Sequence, residues 1–112
     1  MALNIAEVNT DKFLIKVEDD IVFFEGEIIE MHSEKYIKPF LNKVREQMDK
    51  EIIIDISKLD FINSTGLGCF VDFILDLKSG CRVNFRTDLN NPFQQKAWNI
   101  FKSLGEDNVI LG

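Results

Sequence analysis

The sequence has few of the side chains from which metal centres, disulfide frameworks and nucleophile–base pairs are built. Its 112 residues include two cysteines, Cys69 and Cys81, and one histidine, His32. Neither cysteine lies near a metal-ligand partner in the sequence, so no metal ion is expected. Two cysteines in such a chain favour free thiols in a reducing compartment.

Long apolar runs are also missing. No stretch approaches the roughly 18 apolar residues that a helix needs to span a bilayer. The first residues, MALNIAEVNTDKF, lack the charged start and the long apolar segment of a signal peptide. We therefore expect a cytoplasmic protein with no membrane span. In that compartment the glycosylation pattern Asn63-Ser64-Thr65 is a chance match.

Basic residues are in the minority. The 13 Lys and Arg residues stand against 19 Asp and Glu residues, which gives a formal net charge of −6. A nucleic-acid binder usually presents a basic face, because neutralising phosphates supplies much of its affinity. We therefore expect no nucleic-acid partner, and a basic protein surface is the easier fit.

The sequence does contain enough apolar material for one packed domain. Hydrophobic residues make up 46% of the chain and ten residues are Phe, which indicates a bulky core. There is no internal repeat and no linker-like segment. The length suits one domain, so we predict a single domain over residues 1–112.

Five strands are predicted from apolar–polar alternation and short β-branched runs, at residues 12–17, 21–29, 51–56, 81–86 and 108–111. The first two are expected to form a hairpin. Gly26 inside the second strand predicts a bulge or a close backbone approach. The third strand, EIIIDI, has the pattern of a strand that is buried on both faces.

The first predicted helix covers residues 33–48, where apolar residues recur at helical spacing. Ser33 is a candidate cap for its start. Pro39 leaves two alternatives open, because proline clashes with the preceding helical turn. Either the helix kinks at Pro39, or it begins near Lys38 with Pro39 at its first position.

Two further helices complete the predicted order of elements. One runs from about residue 65 to residue 79 and ends at Gly80, and Asn91 caps the other with Pro92 at its first position. The order β-β-α-β-α-β-α-β predicts an α/β fold. We expect a mixed sheet of four to five strands with crossover helices packed on it.

The segment FINSTGLGCF, residues 61–70, is the strongest functional candidate. It follows the EIIIDI strand, and sites in such sheets form at the carboxyl ends of strands. In the structural interpretation, Asn63 or Ser64 caps a helix, and Gly66 and Gly68 allow close packing. In the functional interpretation, the same helix start displays a hydroxyl on which a phosphate would be stabilised, so that modification switches binding.

Catalysis is not expected of this segment. The nucleophile motif GxSxG is absent because residue 62 is Ile, and no phosphate-binding GxxxxGK[ST] loop occurs. A nucleophilic Ser64 would also need a base, and nothing in the sequence brings the single histidine near it. We therefore predict a binding protein and not an enzyme.

The segment IIIDISKLDFINSTGLGCFVDFI, residues 52–74, resembles the signature region of STAS domains, and more closely that of bacterial anti-sigma factor antagonists. The pattern of that family is a strand ending in Asp-Leu-Ser, an apolar pair, and Asp-Ser-[Ser/Thr]-Gly-Leu-Gly opening a helix. Weaker similarity extends over nearly the whole chain, including Glu25-Gly26-Glu27-Ile28.

The resemblance implies a partner switch. The unmodified antagonist would bind an anti-sigma factor that is also a Ser/Thr kinase, which releases the sigma factor, and a phosphatase would reset the phosphorylated form. ATP would belong to the partner, so no cofactor is expected here. The implied phosphoacceptor is Ser64, with Thr65 as the second candidate. The implied partner-binding residues are Glu27, Asn63, Ser64, Thr65, Gly66 and Leu67.

Two positions depart from the family pattern. Asn63 stands where the family has Asp before the acceptor, and Ile29 stands where the family has Asp after Gly-Glu-Leu. Both changes remove an acidic group, which favours a diverged member with altered or lost phosphoregulation. Two further alternatives are a STAS subunit of another assembly, such as a lipid-transport complex, and a ligand-binding STAS domain.

Overall fold

The computed structural model describes residues 3–78, 80–88, 90–104 and 109–111. Ten elements are found in these residues. In chain order they are β1 (Val8–Asn9), β2 (Phe13–Glu18), β3 (Ile21–Ile28), α1 (Glu34–Gln47), β4 (Glu51–Asp55), β5 (Leu59–Ile62), α2 (Ser64–Leu75), β6 (Arg82–Arg86), α3 (Pro92–Leu104) and β7 (Val109–Leu111).

The strands form one mixed sheet in the order β1-β2-β3-β4-β6-β7, and β5 pairs with β3 beside that path. β1, β2 and β3 are antiparallel neighbours, whereas the remaining pairs are parallel. Parallel neighbours require crossover connections, and α1, α2 and α3 lie in the connections between the parallel strands. The predicted α/β fold class is therefore confirmed.

The sheet has two more strands than the five predicted. β1 has two residues, Val8 and Asn9, which is too short to produce an alternating pattern. β5 has the sequence LDFI, in which both outer residues are buried and both inner residues are exposed. That pattern matches neither the strand period of two nor a continuous apolar run, so the sequence did not reveal it.

The helices pack on one face of the sheet. Phe24 of β3 contacts Phe40 of α1 and Phe70 of α2, with ring centroids 6.3 and 4.8 Å apart. On the same face, Phe85 of β6 stacks on Phe101 of α3 at 4.9 Å. The predicted burial of EIIIDI on both faces is wrong, because Ile53 on the other face is only half-buried.

The structure confirms the predicted hairpin between β2 and β3 and the irregularity predicted at Gly26. Asp19 and Asp20 form the turn between β2 and β3 with φ values of 54° and 60°. The pairing of β3 with β5 shifts register between Gly26 and Glu27, which is the predicted bulge. Gly26 has a φ of 95°, and a side chain there would collide with the carbonyl of Lys12.

Two helix boundaries differ from the prediction. α1 begins at Glu34 and contains Pro39, so the alternative start near Lys38 is wrong. α2 ends at Leu75 with Asp76 as its C-cap, well before Gly80, which has a φ of 86° in the turn before β6. α3 begins at Pro92 as predicted. β7 begins at Val109, and residue 108 of the predicted strand lies outside the described residues.

A buried glutamine fixes the corner between β4 and β5. Gln94 of α3 is 1% exposed, and its Nε2 donates to the carbonyls of Ile56 and Leu59 at 2.8 and 3.0 Å. Its Oε1 accepts from the backbone N–H of Asp88 at 2.7 Å. Both ends of the amide are therefore paired, as burial of such a group requires. α3 thereby holds the segment that leads into β5.

Candidate functional site

The FINSTGLG segment lies where β5 passes into α2. β3 and β5 run parallel, with Ile28 opposite Ile62, so the two strands end side by side. The backbone N–H of Asn63 donates to the carbonyl of Ile28 at 2.8 Å, and α2 begins at Ser64. The site is thus at the carboxyl ends of parallel strands, as predicted, but the strand before it is β5 instead of β4.

Asn63 is the cap of α2. Its backbone is extended, with φ −76° and ψ 173°, and its side-chain oxygen accepts from the backbone N–H of Gly66 at 2.9 Å. This is the ordinary geometry of a helix N-cap. Of the two capping candidates in the sequence, Asn63 performs this role and Ser64 does not.

The side chain of Asn63 has two further contacts. Its Oδ1 also accepts from the hydroxyl of Ser33 at 3.3 Å, and its Nδ2 donates to the carbonyl of Glu30 at 2.8 Å. Ser33 is fully buried and makes no side-chain capping bond to α1. The prediction that Ser33 caps α1 through its side chain is therefore wrong, because the hydroxyl bonds to the neighbouring helix start.

Ser64 occupies the first position of α2 and its side chain is exposed, whereas Thr65 is half-buried. The first N–H groups of a helix have no acceptor within the helix. Gly66 gives its N–H to Asn63. The N–H groups of Ser64 and Thr65 have no hydrogen-bond acceptor in the part of the chain that the structure describes. The exposed hydroxyl therefore sits beside two free donors.

The two glycines of α2 differ in their surroundings. A Cβ on Gly66 would lie 2.8 Å from Cγ1 of Ile62 and 3.0 Å from Cγ2 of Ile28, so Gly66 allows α2 to approach the sheet closely. A Cβ on Gly68 would meet nothing within 4 Å. The packing prediction is confirmed for Gly66 and is wrong for Gly68. Leu67, also named from the sequence, is half-buried.

Exposed apolar side chains surround the ends of β3 and β5. Glu27 is exposed and pairs in register with Phe61, which is itself 43% exposed. Beyond β3, Ile29 is 46% exposed and Met31 is 79% exposed. Sequence reasoning noted Ile29 but missed Phe61 and Met31, since an isolated apolar residue gives no sign of which face it occupies. We refer to Ile29, Met31 and Phe61 as the apolar rim.

Comparison with known proteins identifies the family. Residues 12–86 match the family profile described as the STAS domain. The chain belongs to the STAS domain family. No curated protein sequence matches it significantly.

A crystal structure of an anti-sigma factor antagonist from Mycobacterium paratuberculosis is similar to this STAS domain, with a TM-score of 0.65 and 16% sequence identity. The match covers 88% of this chain and 84% of that one. At this identity the similarity concerns the fold, and the fold is that of a STAS domain.

The histidine and the buried cysteine of this STAS domain each contact another group, and Sγ of Cys69 lies 3.5 Å from the carbonyl oxygen of Thr65. His32 contacts Glu34, with 3.4 Å between Nδ1 and Oε1. Burial raises the pKa of the Cys69 thiol, and the carboxylates of Asp72 and Glu34 raise it further. A thiol of this kind is a poor nucleophile, because the thiolate is the reactive form.

The described ranges contain no group of three or more His, Cys, Asp or Glu residues placed to hold a metal ion. Within the same ranges, no helix is both long enough and apolar enough to cross a membrane.

Proposed function

We propose that this STAS domain is a binding module in a phosphorylation-controlled partner switch, similar to an anti-sigma factor antagonist. The observation that carries the proposal is the exposed hydroxyl of Ser64 at the first position of α2, next to the N–H groups of Ser64 and Thr65, which have no acceptor among the described residues. In its unmodified form the chain binds an anti-sigma factor of the Ser/Thr kinase type, and the sigma factor is released.

Phosphorylation of Ser64 changes the surface without unfolding the domain. A phosphate adds about −1.5 to −2 charges at neutral pH and accepts hydrogen bonds strongly. The start of α2 favours negative charge because its N–H groups point outward there. A partner surface shaped for a neutral hydroxyl then faces a dianion, which it can bury only at a large desolvation cost. The complex therefore dissociates.

The partner surface comprises the exposed Glu27, the exposed Ser64 and the half-buried Asn63, Thr65 and Leu67. Gly66 is buried, so it supports this surface by letting α2 sit close to the sheet. The apolar rim borders these residues and adds area that a protein partner can bury. Thr65 is the second phosphoacceptor candidate, although its half-buried side chain is less accessible than that of Ser64.

The other components follow from the same proposal. The kinase partner brings ATP, a phosphatase removes the phosphate, and the chain itself catalyses no reaction and needs no cofactor. We place the system in the cytoplasm and treat residues 1–112 as one domain. The formal net charge of −6 disfavours nucleic acid as a partner.

The phosphoacceptor is tested with the cognate kinase, isolated by pull-down from the native cell. Incubation with that kinase and ATP, followed by mass spectrometry, should place phosphate on Ser64. Ser64→Ala should abolish labelling, while Thr65→Ala should leave it intact. Phosphate on neither residue would refute the switch. The alternative would then be a diverged module that binds without phosphoregulation, and the departures from the family pattern at Asn63 and Ile29 favour that alternative.

The charge effect is tested by binding measurements with the same partner. Ser64→Asp should weaken binding by about 1–3 kcal/mol, which corresponds to a lost buried polar contact. Ser64→Ala should bind almost as tightly as the unmodified protein. Ser103→Asp is a matched control, since it places the same charge on an exposed serine of α3. Equal affinities for all variants would place the interface away from the start of α2.

A further inference from the structure

We infer that Asn63 is a positioning residue whose amide holds the segment between β3 and α1, residues 29–33, against the start of α2. The inference concerns this chain in particular, because aspartate, which the family pattern has at this position, has no side-chain donor when ionised. The inference rests on the proposed function in one respect, because the segment carries Ile29 and Met31 of the apolar rim, which the proposed function assigns to the partner surface.

The contacts require an amide. Oδ1 of Asn63 accepts from the N–H of Gly66 at 2.9 Å and from the hydroxyl of Ser33 at 3.3 Å. Nδ2 donates to the carbonyl of Glu30 at 2.8 Å. Turning the amide over would set its N–H group against the N–H of Gly66 and its oxygen against the carbonyl of Glu30. Only one orientation satisfies both neighbours.

A carboxylate at position 63 would keep two of these contacts and lose the third. It accepts hydrogen bonds only, so it could still bond Gly66 and Ser33. Its second oxygen would face the carbonyl oxygen of Glu30, where two acceptors repel each other. The cap of α2 and the attachment of the segment are therefore separable, and only the attachment depends on the difference between asparagine and aspartate.

The attachment matters at Glu30, because the other backbone bonds of the segment hold its end, where the carbonyls of His32 and Ser33 accept from N–H groups of α1. The carbonyl of Glu30 also accepts from the N–H of Ser33, but at 3.3 Å, and Ile29 and Met31 are exposed. The contact between Asn63 and Glu30 is thus the shorter of the two bonds at this carbonyl, and it ties the segment directly to the residue before Ser64. By fixing Glu30, Asn63 sets where Ile29 and Met31 lie relative to Ser64.

The contact can be tested on the protein alone, without partner or phosphate, so the outcome is independent of the proposed switch. In the wild-type protein, NMR should show a scalar coupling across the hydrogen bond from Nδ2 of Asn63 to the carbonyl of Glu30. The side-chain amide protons should also exchange more slowly than those of the exposed Asn90, because one of them is bonded. A freely exchanging Asn63 amide with no coupling would overturn the inference.

The variant Asn63→Asp separates the two roles at neutral pH. The backbone N–H of Ser33 should exchange about tenfold faster, while that of Gly66 should stay within about twofold of the wild type. Ser33→Ala is the control, because it removes one contact to Oδ1 and leaves the coupling to Glu30 in place. The assigned role would be contradicted if the exchange rates of the Gly66 and Ser33 N–H groups rose equally. It would also be contradicted if the exchange rate of the Ser33 N–H did not change. The wild-type coupling decides the question if the variant does not fold.

Discussion

The starts of α1 and α2 lie side by side and are stabilised differently. Asn63 precedes α2 in an extended conformation, and its side chain reaches the N–H of Gly66. Ser33 precedes α1 in a helical conformation, with φ −61° and ψ −23°, and makes no side-chain capping bond. A capping residue type is therefore not sufficient, because the backbone before the helix decides whether its side chain can turn back to the first N–H groups.

The comparison extends to what each start contacts. The carbonyl of Ser33 accepts from the N–H groups of Tyr36 and Ile37, so α1 begins on backbone bonds alone. α2 begins on a side-chain cap and is pressed against Ile28 and Ile62 through Gly66. We therefore expect the start of α2, which displays Ser64, to be the more sensitive of the two to substitution.

The largest effect is expected from Gly66→Ala. The added methyl group would lie 2.8 Å from Cγ1 of Ile62 and 3.0 Å from Cδ1 of Ile62 and Cγ2 of Ile28, and both isoleucines are buried, which limits how far they can move away. Overpacking of this kind costs about 1–3 kcal/mol, part of which the better helix propensity of alanine offsets. Chemical denaturation should show a net loss in the free energy of unfolding. An unchanged value would mean that α2 can move away from the sheet, and the two helix starts would then be equally tolerant.

A smaller loss is expected from Ser33→Ala. The substitution removes one hydrogen bond to Asn63 from a fully buried position, which typically costs about 0.5–1.5 kcal/mol. The control is Ser103→Ala, which removes an exposed hydroxyl that bonds within its own helix. If both variants unfold at the same denaturant concentration, the bond between the two helix starts contributes no stability.

The smallest effect, with the opposite sign, is expected from Gly68→Ala. A methyl group there meets nothing within 4 Å, so only the conformational freedom of glycine is removed. The gain should be about 0.5–1 kcal/mol, as for other helical glycines. Thermal unfolding of both variants should show a lower melting temperature for Gly66→Ala and a higher one for Gly68→Ala than for the wild-type protein. A loss at Gly68 would indicate a neighbour that the geometry does not reveal.

Sequence reasoning predicted most of the fold because its main signals are local. Pro92 at the first position of α3 and the hairpin between β2 and β3 were read correctly from residue type and alternation. β5 was missed because its pairing with β3 decides its burial, and that pairing is not local. The end of α2 was misplaced because a glycine signal at Gly80 also fits a turn before a strand.

The sequence predicted where the candidate site lies in the fold but not the long-range hydrogen bonds that its residues make. The motif placed Asn63 and Ser64 at a helix start, which the structure confirms. The contacts from Asn63 to Ser33 and Glu30 span about thirty positions in the chain, and no periodicity encodes them. The roles of Ser64 and Thr65 as phosphoacceptors, and of the surrounding residues in binding, remain predictions.

The buried Gln94 has a consequence for where the domain ends. The family match stops at residue 86, yet the carbonyls of Ile56 and Leu59, where the chain turns from β4 into β5, are paired by a side chain that comes later. A fragment limited to the matched residues would have to leave these oxygens to water, and β5 would keep its pairing with β3 but lose the hydrogen bond from α3. The third helix, although remote in sequence from the motif, is thus part of the frame on which the motif depends.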